Sequence, residues 1–189
     1  MNSMHFILCL LGASGGHLQG RTLLQKKAYF VSLLSGVDPG LNFNAHYYGP
    51  YSATLDSTVT QLKNLGFVGE DSTHFGTYSE GFELRRFDYV LTKDGEKLVS
   101  ALRPTSSYKE IASASEKIRK AGDPGYLELS IAAKAYFILD KKNRPMSNSE
   151  IRREAERLRW NIKPESLDRA ISFLEKLGLT KGSSREQAS

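Results

Sequence analysis

Residues 45–52, Ala-His-Tyr-Tyr-Gly-Pro-Tyr-Ser, constrain the fold more than any other stretch of this 189-residue chain. Gly49-Pro50 cannot continue a helix, because proline lacks an amide hydrogen and clashes with the preceding turn. The chain must turn a sharp corner there, with Tyr47, Tyr48 and Tyr51 crowded around it. Ser52 stands where an N-cap would, its hydroxyl able to accept from a free backbone N–H, and Asp56 falls in the favourable first turn. Leu55, Val59 and Leu62 follow at i, i+4 and i+7, the stripe of one buried helical face. Gly66 is placed to stop the helix, and Phe67-Val68 opens an extended segment. A corner, an amphipathic helix and a strand, in that order, form the middle of a winged helix-turn-helix. The expected fold is α+β, mainly α with small β wings, built as two tandem winged-helix/helix-turn-helix modules.

The rest of the chain can be divided on that basis. Residues 4–11 read as a short buried helix, too short to span a bilayer and without the basic flank of a signal peptide. Gly12, Gly15, Gly16 and Gly20 form a break that lacks the closing Gly-Lys-Ser/Thr of a phosphate loop and is expected to be a helix-helix connector. Residues 21–34 show a wide apolar face, with Gln25, Lys26 and Ser32 expected outside it. Residues 41–46 alternate as a short strand would. Phe67-Val68 and residues 87–91 are expected to pair around a long polar wing, with Arg85-Arg86 at its return. Thr92 is an N-cap for a helix whose core side carries Leu98 and Leu102. These elements make a first module over residues 1–104. Residues 105–125 are a linker and connecting helix.

The second module is expected over residues 126–182, with a disordered tail at 183–189. A helix with Leu127, Ile131, Lys134, Ala135 and Ile138 on or near one face is followed by Ser147 and Glu150, a capping-box pair. Ile151, Ala155 and Leu158 mark the core face of the next helix. Pro164 starts the last one, with Leu167, Ile171, Leu174 and Leu177 inward. Leu179-Thr180-Lys181 is expected to begin a strand.

Charge separates the two halves. Residues 1–104 hold nine basic and nine acidic residues, whereas residues 105–189 hold seventeen and twelve, so the net charge of +5 lies in the second half. A localised basic excess points to an anionic partner, double-stranded DNA above all. Arg144, Arg152, Arg153, Arg157, Arg159 and Lys163 cluster on or beside the first two helices of the second module. Its last helix exposes Ser166, Arg169, Ser172 and Lys176. Arg169 is expected to reach a base edge, and Arg152, Arg153, Arg159 and Lys163 to hold phosphates. The competing reading pairs these arginines with Glu150, Glu154 and Glu156 along a solvated helix. The helix over 52–65 offers only Lys63 and sets Asp56 against phosphate, so it is a poor DNA reader.

No active site is apparent, so no enzymatic activity and no cofactor or metal are expected. His5, His17, His46 and His74 are scattered, none at metal-ligand spacing to an acid. The lone Cys9 rules out an internal disulfide framework and suits a reducing cytoplasm. The corner residues His46, Tyr47, Tyr48 and Tyr51 fit an assembly surface, for a homodimer or a protein partner, since aromatics are enriched at interfaces. The expected function is regulatory DNA binding, the first module assembling and the second contacting DNA. The alternative is a protein adaptor or antitoxin-like protein that binds no DNA.

From Leu11 to about Leu102 the chain resembles the YwgA-like family. The resemblance rests on Gly20-Arg21-Thr22-Leu23-Leu24-Gln25-Lys26-Lys27-Ala28-Tyr29-Phe30, on His46-Tyr47-Tyr48-Gly49-Pro50-Tyr51-Ser52 and on residues 62–67. The family pattern is a Gly-Arg…Leu-Gln-Lys…Tyr helix followed by a Tyr-Gly-Pro-Tyr-Ser corner, and a related arrangement appears in the Panacea antitoxin domain. The resemblance implies a winged-helix-like fold and little about function. Lys27, after Lys26, departs from the apolar residue that would continue the face.

Overall fold

The computed structural model describes residues 1–77 and 83–180. It is mainly helical with one small antiparallel sheet, and it divides into two compact units. One comprises Met1–Phe43 and Ser52–Glu116; the other comprises Asn44–Tyr51 and the chain from Lys117 onward.

The first unit is laid down in the order α1 (Ser3–Ala13), β1 (His17–Gln19), α2 (Arg21–Ser35), α3 (Ala53–Asn64), β2 (Val68–Thr77), β3 (Glu83–Leu91) and α4 (Lys93–Leu102). The first part of α5 (Ser106–Lys120) also belongs to it. Phe6 to Leu11 are all buried, so α1 is apolar on every side and lies at the unit's centre, against α3 and α4. The sheet runs β1-β3-β2, with Leu18 opposite Tyr89 and Val68 opposite Leu91.

β1 lies inside the glycine-rich stretch expected to be a plain connector. It has three residues and a single buried side chain, Leu18, so no periodicity announces it. The strand expected over 41–46 is absent; that segment holds one isolated bridge, Asn44 to Tyr51. The long polar wing is carried largely by β2 and β3 themselves, and its residues 78–82 lie outside the described residues. Arg86, at its return, chelates Asp88 with contacts of 2.8 to 3.1 Å.

The corner-to-helix junction follows the expected chemistry. The Ser52 hydroxyl accepts from the Leu55 amide at 3.0 Å and donates to the Leu41 carbonyl. Gly66 adopts φ +76, as the left-handed helix stop requires. Gly95 in α4 is demanded by packing: a Cβ there would lie 2.1 Å from the Phe67 carbonyl oxygen. Beside it the core side of α4 is Val99, with Leu98 and Leu102 only half-buried.

Gln25 and Lys26 reverse their expected placement. Both are 2 % exposed. The Gln25 carboxamide grips the Ser52 backbone from both sides, accepting from its N–H at 2.9 Å and donating to its C=O at 2.9 Å. It also donates to Asp56 at 3.0 Å. A buried polar side chain is tolerated when it satisfies buried backbone groups, and here it ties α2 to the start of α3.

The second unit contains α6 (Tyr126–Lys142), α7 (Asn148–Arg157) and α8 (Pro164–Lys176). α6 packs against both α7 and α8. Its core side carries Leu129, Ala132, Ala133, Phe137 and Ile138. Leu127 and Leu158, both expected in the core, are instead exposed. Leu179 and Thr180 form no strand; Lys181 and the tail at 183–189 lie outside the described residues.

Candidate nucleic-acid interface

The second unit presents a helix, a six-residue turn and a second helix. Ser147 caps α7, its hydroxyl accepting from the Glu150 amide while Glu150 accepts from the Ser147 amide at 2.8 Å. Arg144 donates to the same carboxylate at 2.9 Å, and together these hold Glu150 down at about 2. Trp160 is buried in the turn, its ring edge-on to Phe137 with centroids 5.9 Å apart. Pro164 begins α8, where its missing N–H costs nothing.

Trp160 also brings in the distant aromatic corner. Its indole N–H donates to the His46 carbonyl at 2.7 Å. The corner closes on itself through two backbone bonds of 2.9 Å between Asn44 and Tyr51, and a third from the Gly49 amide to the His46 carbonyl. Gly49, at φ +98, lies so close to α6 that a Cβ would meet the Lys134 side chain at 3.0 Å. Tyr47 and Tyr48 occupy the tip, 69 % and 60 % exposed, their rings edge-to-face with centroids 4.9 Å apart. The exposed His46 and half-buried Tyr51 pair below them at 4.9 Å. This corner, attached by the sequence reading to the first module, thus groups with the second unit. An indole N–H in an apolar turn must find an acceptor, but which acceptor was not legible in the sequence.

The predicted cations fall into distinct sets. Arg144 is tied to Glu150, and Arg157 to Glu154 at 2.6 Å, while Lys142 holds the same Glu154 at 2.9 Å. For these, the reading of a solvated, ion-paired helix describes the contacts. Arg152 is half-buried, and its Nε, removed from solvent, has no hydrogen-bond partner among the described residues. Arg153, Arg159, Lys163 and Lys176 are exposed, with no acidic partner among the described residues. Arg169 is exposed and reaches only the Ser166 hydroxyl, at 3.5 Å.

The solvent face of α8 carries Glu165, Asp168 and Glu175 against Arg169 and Lys176. Arg169, Ser166, Ser172 and Lys176 border a shallow cleft of about 280 Å³ against the start of α6. Lys134 is half-buried near the Trp160 ring, 5.7 Å from its centroid, with no acidic partner among the described residues; burial lowers its pKa. In the first unit the corresponding charges are paired: Lys63 with Glu70 at 2.8 Å and Asp56 with Arg21 at 3.7 Å. Among the described residues no group of three His, Cys, Asp or Glu could hold a metal ion, and no helix is long and apolar enough to cross a membrane.

No protein-family model matches the chain. It is 33 % identical over 91 residues to the uncharacterized protein YwgA of Bacillus subtilis, a match covering 48 % of this chain and 51 % of that protein. The chain therefore spans about half the length of the relative it matches. Gln25 and Ser52, one from each of the motifs at residues 20–30 and 45–52, meet in the clamp, and the similarity supports a YwgA-like family relationship for about half of this chain.

Proposed function

We propose that this protein is a regulatory DNA-binding protein of winged-helix type, contacting DNA through its second unit. The order α1-β1-α2-α3-β2-β3 with sheet order β1-β3-β2 supports a winged-helix first unit. The α7-turn-α8 arrangement supports a helix-turn-helix second unit. The observation that carries the reading is the set of exposed cations without acidic partners, Arg153, Arg159, Lys163 and Lys176, gathered on one helix-turn-helix. Cations left free of internal partners are those available to phosphate. In this reading Arg169 reaches a base edge from α8, and Arg144 and Arg157 support the fold of α7 through their glutamates.

The test is fluorescence anisotropy of the full chain on labelled duplex DNA of random sequence at low salt. Binding that is lost in the variant Arg153→Ala/Arg159→Ala/Lys163→Ala, with helical content unchanged by circular dichroism, supports the reading. No binding by the wild-type protein at low salt refutes it and favours the adaptor alternative.

A further inference from the structure

We infer that Tyr47 and Tyr48 form a stacking platform for an unpaired nucleobase, so that the protein prefers DNA containing a short single-stranded gap over a fully paired duplex. This rests on the DNA-binding reading and adds its substrate class. Two large aromatic side chains at the tip of a four-residue turn are 69 % and 60 % exposed, although the turn beneath them is fixed by three backbone hydrogen bonds and by Trp160. Their edge-to-face arrangement leaves the outer face of a ring open. Neither ring is needed to fill the core, and a rigid, exposed aromatic pair loses little entropy on binding a flat partner.

Position and charge select the partner. The indole bond to His46 joins the tyrosine turn to the same six-residue turn that holds Arg159 and Lys163. Lys134 adds an unpaired ammonium where Gly49 meets α6. At the start of α6, Tyr126, one turn before Ser130, and Leu127, two turns before Lys134, are 61 % and 62 % exposed. Aromatic rings interleaved with unpaired cations complement bases and phosphates together, which is how proteins hold single strands. The face of α8 carries three carboxylates against two cations, so major-groove reading by α8 alone is weak. Stacking on the turn supplies the contact that α8 does not.

The experiment compares the full chain on two labelled DNAs, a paired duplex and the same duplex with a short gap carrying 2-aminopurine. The wild-type protein binds the gapped DNA about tenfold more tightly, within the range measured for single aromatic-base stacks, and quenches the 2-aminopurine. Tyr47→Ala/Tyr48→Ala binds the gapped DNA no more tightly than the paired one, and Tyr47→Phe/Tyr48→Phe keeps the preference. Unchanged Trp160 emission in both variants confirms an intact turn. Equal wild-type affinity for the two DNAs, or a preference that survives in the alanine variant, overturns this inference and leaves the DNA-binding reading standing. Binding to neither DNA removes both. Self-association abolished by the alanine variant, without any gap preference, assigns the patch to a second copy of the chain and overturns the stacking inference.

Discussion

Replacing Gln25 by alanine removes the clamp that fixes the start of α3. Ser52 is fully buried, so its N–H loses its protein acceptor. An orphaned buried donor costs about 1–3 kcal/mol, and the hydrogen bonds themselves contribute about 1 kcal/mol each. The Ser52 carbonyl keeps a long bond from the Asp56 amide, at 3.4 Å, so only part of its loss counts. The expected destabilisation is about 3 kcal/mol, which at a urea m-value near 1.5 kcal/mol/M lowers the midpoint by about 2 M. Urea unfolding followed by far-UV circular dichroism measures it. Gln25→Glu sharpens the test. At neutral pH the new carboxylate faces Asp56 and cannot donate to the Ser52 carbonyl, so its folded-state pKa rises above the unfolded value. The destabilisation is then present at neutral pH and recedes as pH falls through the raised pKa and the proton returns a donor. A Gln25→Ala cost below about 0.5 kcal/mol, or a Gln25→Met variant as stable as wild type, would refute the clamp, since methionine fills the same volume without its hydrogen bonds.

Three further outcomes follow from local geometry. Burial pushes the Cys9 thiol up to about 11, so the native protein resists alkylation at pH 8 and reacts promptly only in denaturant; fast native reaction would show α1 to be accessible. The Glu150 carboxyl, held at about 2 mainly by Arg144 and then by the Ser147 amide, contributes stability that is complete above its unfolded value near 4.5. That contribution is lost as pH falls toward 2 and is absent in Glu150→Gln, so acid unfolding curves of the two proteins should converge at low pH. Gly95→Ala drives a methyl to 2.1 Å from a backbone carbonyl and should cost more than about 2 kcal/mol in the same urea assay.

Local signals were legible in the sequence. The Ser52 cap, the Gly66 stop, the pairing of Val68 with the strand over 87–91 and the Ser147–Glu150 capping box all depend on residues within a turn or a hairpin. The misplaced residues depend on partners far along the chain. Gln25 and Lys26 lie among polar neighbours in sequence, and nothing local indicates that a carboxamide will serve a backbone 27 residues away. β1 is too short to alternate. Leu127 and Leu158 fit a helical stripe, yet both sit at helix ends, Leu127 in the first turn of α6 and Leu158 just after α7, and remain exposed. The cluster of basic residues was legible as composition. Which of them are spent on Glu150 and Glu154, and which stand free, emerges only from the folded arrangement, as does the joining of the tyrosine corner to Trp160.

In the proposed reading, free cations of the second unit neutralise phosphates. The most direct measurement is the dependence of the observed DNA association constant on salt, for the wild-type chain and for Arg153→Ala/Arg159→Ala/Lys163→Ala. If Arg153, Arg159, Lys163 and Lys176 each meet one phosphate, the log-log slope is about −3.6, and it falls to about −0.9 in the variant. A wild-type slope near zero, or a slope the substitutions leave unchanged, would contradict the account.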